Sequence, residues 1–370
     1  MMVNKICCIF NLAARYREPI YKLMDEKLGC DFYITKWKTP PFKEMDYNRL
    51  NGYKYSGKKI NLFFGFYWQT KTIHLIFKPY KQYIITGEPF SLSNWIILLS
   101  AKIKRKEVYL WSHGWYGRES KTKKVLKYWF FNLATKTFLY GNYAREDMLK
   151  EGFSPNKLEC IYNSLDYEKQ VQVRNTLKVS NIYCNHFKND APTIIYIGRI
   201  QIIKKINLVL KALSVLRSNN YLCNLIIVGS DDEGVNLHEL AYKLNIEDSV
   251  WFYGACYDER KIGELIYNSA LCVSPGNVGL TAMHSLVFGT PVLTHDNFVN
   301  QMPEFEAIEA DKTGGFFKEG SIVDLCKKIK KYTSDLPQER EIIRKHCYKI
   351  IDEKYNPYYQ LSILEKTFKI

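Results

Sequence analysis

Residues 194–213 read IIYIGRIQIIKKINLVLKAL, and this stretch decides the fold. Thr193 to Ile197 is a short apolar run, the pattern of a strand buried on both faces. The run ends at Gly198, and from Ile206 to Ser218 the pattern becomes that of an amphipathic helix. A buried strand, a loop and a helix are the beginning of a βαβ unit, which builds parallel sheets wrapped by helices. In open sheets of this kind, ligands sit outside the carboxyl ends of the strands. Arg199 and Lys204 fall in that loop. Arginine offers a fork of donors and lysine a point charge, so together they can grip a diphosphate. The same two residues also read as incidental cations on a solvated loop.

The alternation extends outward over the whole chain. Downstream, strands are predicted at Asn224–Val228, Ser249–Phe252, Leu271–Ser274 and Pro291–Thr294. Helices are predicted near 236–244, 258–268, 280–288 and 321–331, with a charged helical tail from Pro337. Upstream, strands are predicted at 5–10, 31–35, 83–86, 108–112, 137–140 and 158–161, and helices at 19–27, 93–104, 121–133 and 143–151. The polar stretch from Tyr167 to Asp190 has weaker periodicity and reads as a join. At roughly 150 residues per domain, 370 residues suit two domains.

The second informative stretch is LCVSPGNVGLTAMHSLVFGTPVLTHDN, residues 271–297. A strand ends at Pro275, a glycine-bearing turn follows, and a helix starts near Gly279 and is stopped by Gly289 and Pro291. The first N–H groups of that helix, at Gly279, Leu280 and Thr281, lie at the positive end of its dipole and make an anion site. Leu280, Met283 and Val287 recur at helical spacing and are expected to face the core. Thr281, His284 and Ser285 fall on another face, open to a ligand. A satisfied core histidine is the plain alternative for His284.

Composition narrows the partners. The chain is 46% hydrophobic and 15% aromatic, too apolar for a disordered protein. The formal net charge of +15 favours anionic partners such as nucleic acid, lipid headgroups or phosphorylated substrates. No zinc, RNP or helix-turn-helix pattern supports nucleic acid. Ten cysteines are scattered without a C-x-x-C pair, which fits small buried hydrophobes in a reducing compartment. No apolar run approaches a transmembrane length, so the expected location is cytoplasmic. The basic, aromatic stretches 94–107 and 121–131 suit either a membrane interface or snorkelling lysines on half-buried helices.

Taken together, these motifs resemble the retaining GT-B glycosyltransferases of family 4, the glycosyl transferases group 1. Gly198, Arg199 and Lys204 match that family's strand–Gly-Arg–x4–Lys signature, and Gly289, Pro291 and Val292 match the end of its Gly-x-Pro-Val signature. FYGACYDERKIGELIYNSALCVSPG (252–276) is similar to its base-binding loop, helix and strand, which places Cys256 near the nucleotide. VGSDDEG (228–234) and PEFEAIEADKTGGFF (303–317) fall in the family's order. In the first half, WSHGWYG (111–117) supplies His113 where the family often has a cleft-facing histidine, and IYNSLDYE (161–168) resembles the end of its first domain. NLAARYREPIY replaces the family's Gly-rich loop, offering Arg15 and Arg17 to an acceptor phosphate or simply to solvent. Two glutamates usual in the family align with Gly276 and His284. A carboxylate accepts from two sugar hydroxyls, whereas glycine cannot and neutral imidazole offers one acceptor.

The resemblance implies an α/β GT-B fold of two Rossmann-like domains facing across a cleft. The first would span 1–166 and bind the acceptor; a linker at 167–190 leads to a nucleotide-sugar domain at 191–345. The segment 346–370 would pack back on the first domain. It implies transfer of a sugar from a nucleoside diphosphate to a saccharide acceptor, free or lipid-linked, with retention, in surface polysaccharide assembly. His113, Arg199 and Lys204 would be catalytic. Gly198, Gly276, Asn277, Gly279, Leu280, Thr281 and His284 would bind the donor. No metal and no cofactor is called for, and the Asp231–Asp232 pair reads as a solvated loop. An anionic membrane surface is a further expected partner. The alternatives are a nucleotide-sugar epimerase of the same fold or a degenerate sugar-nucleotide binder.

Overall fold

The computed structural model describes residues 5–38, 43–335 and 339–369. Contacts divide the chain into two units, one of residues 1–166 with 356–370 and one of residues 167–355. Each is a Rossmann-like α/β layer structure.

In the first unit β1 (Ile6–Phe10), α1 (Glu18–Leu28), β2 (Asp31–Lys36), β3 (Tyr53–Asn61), β4 (Tyr67–Gln69) and β5 (Gln82–Thr86) come first. Then follow α2 (Leu92–Ile103), β6 (Glu107–Ser112), α3 (Lys121–Leu133), β7 (Lys136–Leu139), α4 (Asn142–Lys150) and β8 (Leu158–Cys160). The sheet order is β4-β3-β2-β1-β5-β6-β7-β8, parallel except for the β3–β4 pair. Every residue of β1 is buried, and the pleat sends them to opposite faces. Ile6, Cys8 and Phe10 join the core beneath α1. Cys7 and Ile9 join the core beneath α2 and α3. Burial pushes the Cys7 and Cys8 thiols up, so both pack as small apolar groups. No cysteine forms a disulfide among the described residues.

The second unit opens with α5 (Tyr167–Arg174) and α6 (Ile182–Phe187), where the sequence suggested only a join. Tyr183 anchors α6 by donating to the Leu265 carbonyl at 2.6 Å. The unit continues through β9 (Thr193–Ile197), α7 (Asn207–Ser218), β10 (Asn224–Val228), α8 (Leu237–Lys243), β11 (Val250–Gly254) and α9 (Glu259–Asn268). It ends with β12 (Leu271–Ser274), α10 (Leu280–Val287), β13 (Val292–His295), β14 (Gly314–Phe317), α11 (Ile322–Lys330) and α12 (Arg340–Glu353). The order is β11-β10-β9-β12-β13-β14, all parallel. No helix among the described residues is long and apolar enough to cross a membrane.

Three strands escape the sequence pattern. β3 and β4 lie at one edge, and YKYSGKKIN is too polar for an apolar run. β14 hides behind Gly314 and Gly315. A Cβ on Gly314 would sit 1.9 Å from the Val292 carbonyl oxygen, so close strand pairing imposes glycine there.

The tail also divides. Pro337, its predicted start, lies outside the described residues. Helix α12 belongs to the second unit: the Arg340 guanidinium donates to the Ala270 and Ser269 carbonyls and to the Thr290 hydroxyl, tying down the end of α9. Helix α13 (Pro357–Phe368) returns to the first unit. It buries Leu361, Leu364 and Phe368 in the core that holds α1, and its Gln360 bonds Ser164 and the Tyr162 carbonyl. The break falls between Tyr355 and Asn356, ten residues beyond the expected boundary at 345.

Candidate functional site

Strands β9 and β12 are neighbours in the sheet, and the connection order reverses between them. This is the position where open α/β sheets bind ligands. The loops leaving both strands meet there. Thr281, in the first turn of α10, donates its hydroxyl to the Ile197 carbonyl at 2.9 Å, fastening that helix to the end of β9. The Lys204 ammonium donates to the carbonyl and side-chain oxygens of Asn277, both at 2.7 Å. Gln301, which the sequence did not single out, props the turn by accepting from the Val278 N–H and donating to Thr294.

Gly276 explains one departure from the family pattern. A Cβ there would lie 2.2 Å from the Ile203 carbonyl oxygen and 2.7 Å from the Lys204 Cα. The backbone that carries Lys204 fills the space a side chain would need. Absence of the usual carboxylate is therefore built into the loop packing.

Lys204 is a cation in an awkward place. Burial pushes its pKa down to about 8, partly offset by Glu304 and aided by the nearby positive charge of Arg199. Among the described residues no carboxylate lies within ion-pair distance of its ammonium. Arg199 is exposed at the end of β9, and its carbonyl accepts from the Tyr196 hydroxyl at 2.8 Å. The N–H groups of Gly279, Leu280 and Thr281 make no hydrogen bond among the described residues. Two cations and an open helix start thus converge on one strand-end region. This arrangement favours an anion.

Helix α10 is rotated relative to the sequence reading. Met283 and Val287 are buried as expected, but Leu280 is only partly so and sits with Thr281 and His284 on the open side. Ser285, expected on the open side, is fully buried and donates to the Thr290 carbonyl at 2.8 Å. A short hydroxyl satisfies the carbonyl where the chain turns at Gly289, and that need outweighs its polarity.

His284 Nε2 lies 2.9 Å from Glu259 Oε1, and Gln170 donates to the same oxygen at 2.9 Å. Burial would raise the Glu259 pKa, but the His284 and Gln170 hydrogen bonds hold it below the usual value. Glu259 is a site neighbour the sequence reading missed; its position at the start of α9 was the available signal. At pH 8, His284→Glu is expected to cost about 1–2 kcal/mol of stability through like-charge repulsion, whereas His284→Gln keeps the donor and stays near wild type. Thermal melts of both variants check this, and equal melting temperatures would refute the coupling.

Cys256 follows β11, two strands from β9 in the sheet, and its Sγ lies 3.9 Å from the carbonyl oxygen of Asp258, the residue before Glu259. Asp231 accepts from the Glu233, Val235 and Asn236 N–H groups, so it organises its own loop.

In the first unit Arg17 and His113 come together while Arg15 is exposed. The Arg17 guanidinium lies 5.6 Å from the Trp111 ring centre and 5.0 Å from that of Tyr140, and it donates to the Tyr140 and Tyr16 hydroxyls. Its partners are phenols, with no carboxylate among the described residues. The His113 ring packs against Tyr140 with centroids 4.7 Å apart, and its buried Nδ1 has no partner among the described residues. Burial, aided by Arg17 and Lys127, pushes its pKa down to about 4. His113 is thus neutral at physiological pH.

Residues 184–349 match the family described as glycosyl transferases group 1. A lipopolysaccharide 1,6-galactosyltransferase of Escherichia coli K12 is 22% identical over 335 residues, covering 85% of this chain and 84% of that protein. Among solved structures, the Anabaena protein HepE in complex with UDP superposes with a TM-score of 0.73 at 14% identity, over 99% of this chain and all of that one. The lipopolysaccharide outer core galactosyltransferase WaaB, in its apo form, gives 0.70 at 14% identity, over 99% of both chains. The second unit is thus similar to the glycosyl transferases group 1, and the chain as a whole has the fold of GT-B glycosyltransferases.

Proposed function

We propose that this glycosyltransferase moves a hexose from a uridine diphosphate donor to a saccharide acceptor, free or lipid-linked, with retention at the anomeric carbon. Its place would be the assembly of lipopolysaccharide or a related surface glycan. The observation that carries the reading is the half-desolvated Lys204 ammonium, which has no ion-pair partner among the described residues and lies beside the open N–H groups of α10. Support for uridine comes from HepE, solved with UDP and with UDP-glucose. Support for the pathway comes from the galactosyltransferase relatives.

In this reading the diphosphate lies over Gly198 and the start of α10. As the bond from the anomeric carbon to the phosphate oxygen breaks, charge grows on that oxygen. Lys204, Arg199 and the 279–281 N–H groups stabilise the charge where it develops. The acceptor oxygen bonds the same carbon on the same face, and its proton passes to the departing phosphate oxygen. No protein base is needed, and the protein cations take the role a metal would have. In the first unit, Arg17 would meet an anionic group of the acceptor. His284, held by Glu259, presents one ring edge to the nucleoside in place of a carboxylate.

Thermal shift against UDP, GDP and ADP, with their sugars, tests the donor. UDP compounds are expected to stabilise the protein selectively, and Arg199→Ala to diminish the shift. Equal shifts for all three bases would refute the uridine assignment. Incubation with donor alone separates transfer from epimerisation: an epimerised sugar would refute transfer.

A further inference from the structure

The first unit carries an apolar ridge outside its core. On α2, Ile96, Leu99 and Ile103 recur at spacings of three and four on the face opposite buried Ile97 and Ala101. On α3, Val125 and Trp129 point outward while Phe130 and Phe131 are buried. Ile103 is 84% exposed, Trp129 62% and Phe77 69%. The two helices belong together. Each links consecutive parallel strands of the run β5-β6-β7, both bury residues in the same core, and Trp95 of α2 packs on Phe130 of α3 with ring centres 5.2 Å apart. Their outward faces are therefore continuous, and Phe77 adjoins the end of α2, where the Lys104 ammonium lies 4.6 Å from its ring centre.

Charge is concentrated on the same elements. Residues 71–136 contain thirteen basic and three acidic side chains, a net +10 within a chain of +15. Lys102, Lys104, Arg105, Lys121 and Lys123 are exposed, and none has a carboxylate within ion-pair distance among the described residues. Helices α2 and α3 run in the same direction, so these cations flank the apolar ridge at both ends. Lys121 and Lys123 occupy the first turn of α3, with no acidic residue there. Cations at that end oppose the helix dipole, so folding alone does not favour them. Exposed apolar ridges of this kind mark interaction surfaces.

We propose that the outward face of α2 and α3 docks on the surface of an anionic lipid bilayer. Ile103, Trp129 and Phe77 enter the headgroup–acyl boundary and the flanking lysines meet the headgroup phosphates. The observation favouring lipid over a protein partner is the pairing of apolar side chains with unpaired cations at both ends. Docking needs no sugar chemistry, so it stands or falls independently of the donor assignment.

Flotation of the full chain with vesicles tests it. The vesicles are phosphatidylcholine containing about one quarter phosphatidylglycerol, at about 50 mM salt, where screening is weak. Binding is expected to these vesicles and not to pure phosphatidylcholine. The double variant Ile103→Glu/Trp129→Glu and the double variant Lys104→Glu/Arg105→Glu should each lose at least about tenfold in vesicle affinity, with wild-type melting temperatures because all four side chains are exposed. Val323→Glu, at an exposed position of the second unit, should bind as wild type. Absence of wild-type binding, undiminished binding of both double variants, or an equal loss in the Val323 variant would overturn the proposal. So would a homodimer in size-exclusion chromatography that the Ile103→Glu/Trp129→Glu change dissociates while lipid binding is absent, since a second copy would then cover the ridge.

Discussion

Lys204→Ala is expected to lower turnover by at least about 100-fold, the loss typical when one preorganised donor to a developing anion is removed. The fold should survive, because among the described residues the lysine bonds only Asn277. Lys204 also sets a pH dependence. Its folded-state pKa of about 8 lies below the ordinary 10.5, so the free folded protein holds fewer protons than the unfolded chain between those values. Stability contributed by this site therefore rises with pH across that window. Below pH 8 the buried ammonium costs about 3 kcal/mol relative to its solvated state. A bound diphosphate reverses the preference, since the cation is the form that attracts it. Affinity for UDP should fall as pH rises through about 8, with proton uptake on binding near that pH. Calorimetry from neutral to alkaline pH reads both quantities. Wild-type affinity that is flat across this range, or that matches Lys204→Ala throughout, would remove Lys204 from the site.

Gly276→Ala should destabilise the protein by about 2–4 kcal/mol, because the added carbon meets backbone and not the flexible end of a side chain. For a unit of this size that is a fall of very roughly 5–15 °C in melting temperature. Gly276→Glu, which restores the residue usual in the family, should do worse: it must displace the loop carrying Ile203 and Lys204 and so abolish UDP stabilisation. A Gly276→Glu protein that melts with the wild type and still binds UDP would show that the loop adapts freely. The two substitutions together distinguish a missing contact from a forbidden one.

Both predictions concern positions that looked different in the sequence. Lys204 was legible because a buried strand, a glycine and a short basic loop before a helix form a local pattern. Gly276 read as a deficit, since nothing local announces that residues 203–204 pass within van der Waals distance of it. Glu259 was similarly silent. It sits 25 residues before His284 in sequence, and only the packing of α9 beside α10 makes them partners. Ser285 was misplaced because periodicity ranks residues by polarity, whereas the carbonyl of Thr290 required a donor inside.

By itself the sequence determined the parallel α/β class and most of the succession of strands and helices, the edge strands β3 and β4, the glycine-led β14 and the helices α5 and α6 excepted. These follow from burial periodicity and turn chemistry, which act over a few residues. Only the tertiary structure decided that Asn277 holds the Lys204 ammonium, that Gly276 admits no side chain, and that the tail divides at Tyr355. It alone placed the apolar residues of α2 and α3 on one outward face. Those outcomes depend on which distant segments come to lie side by side, and no local spacing encodes that.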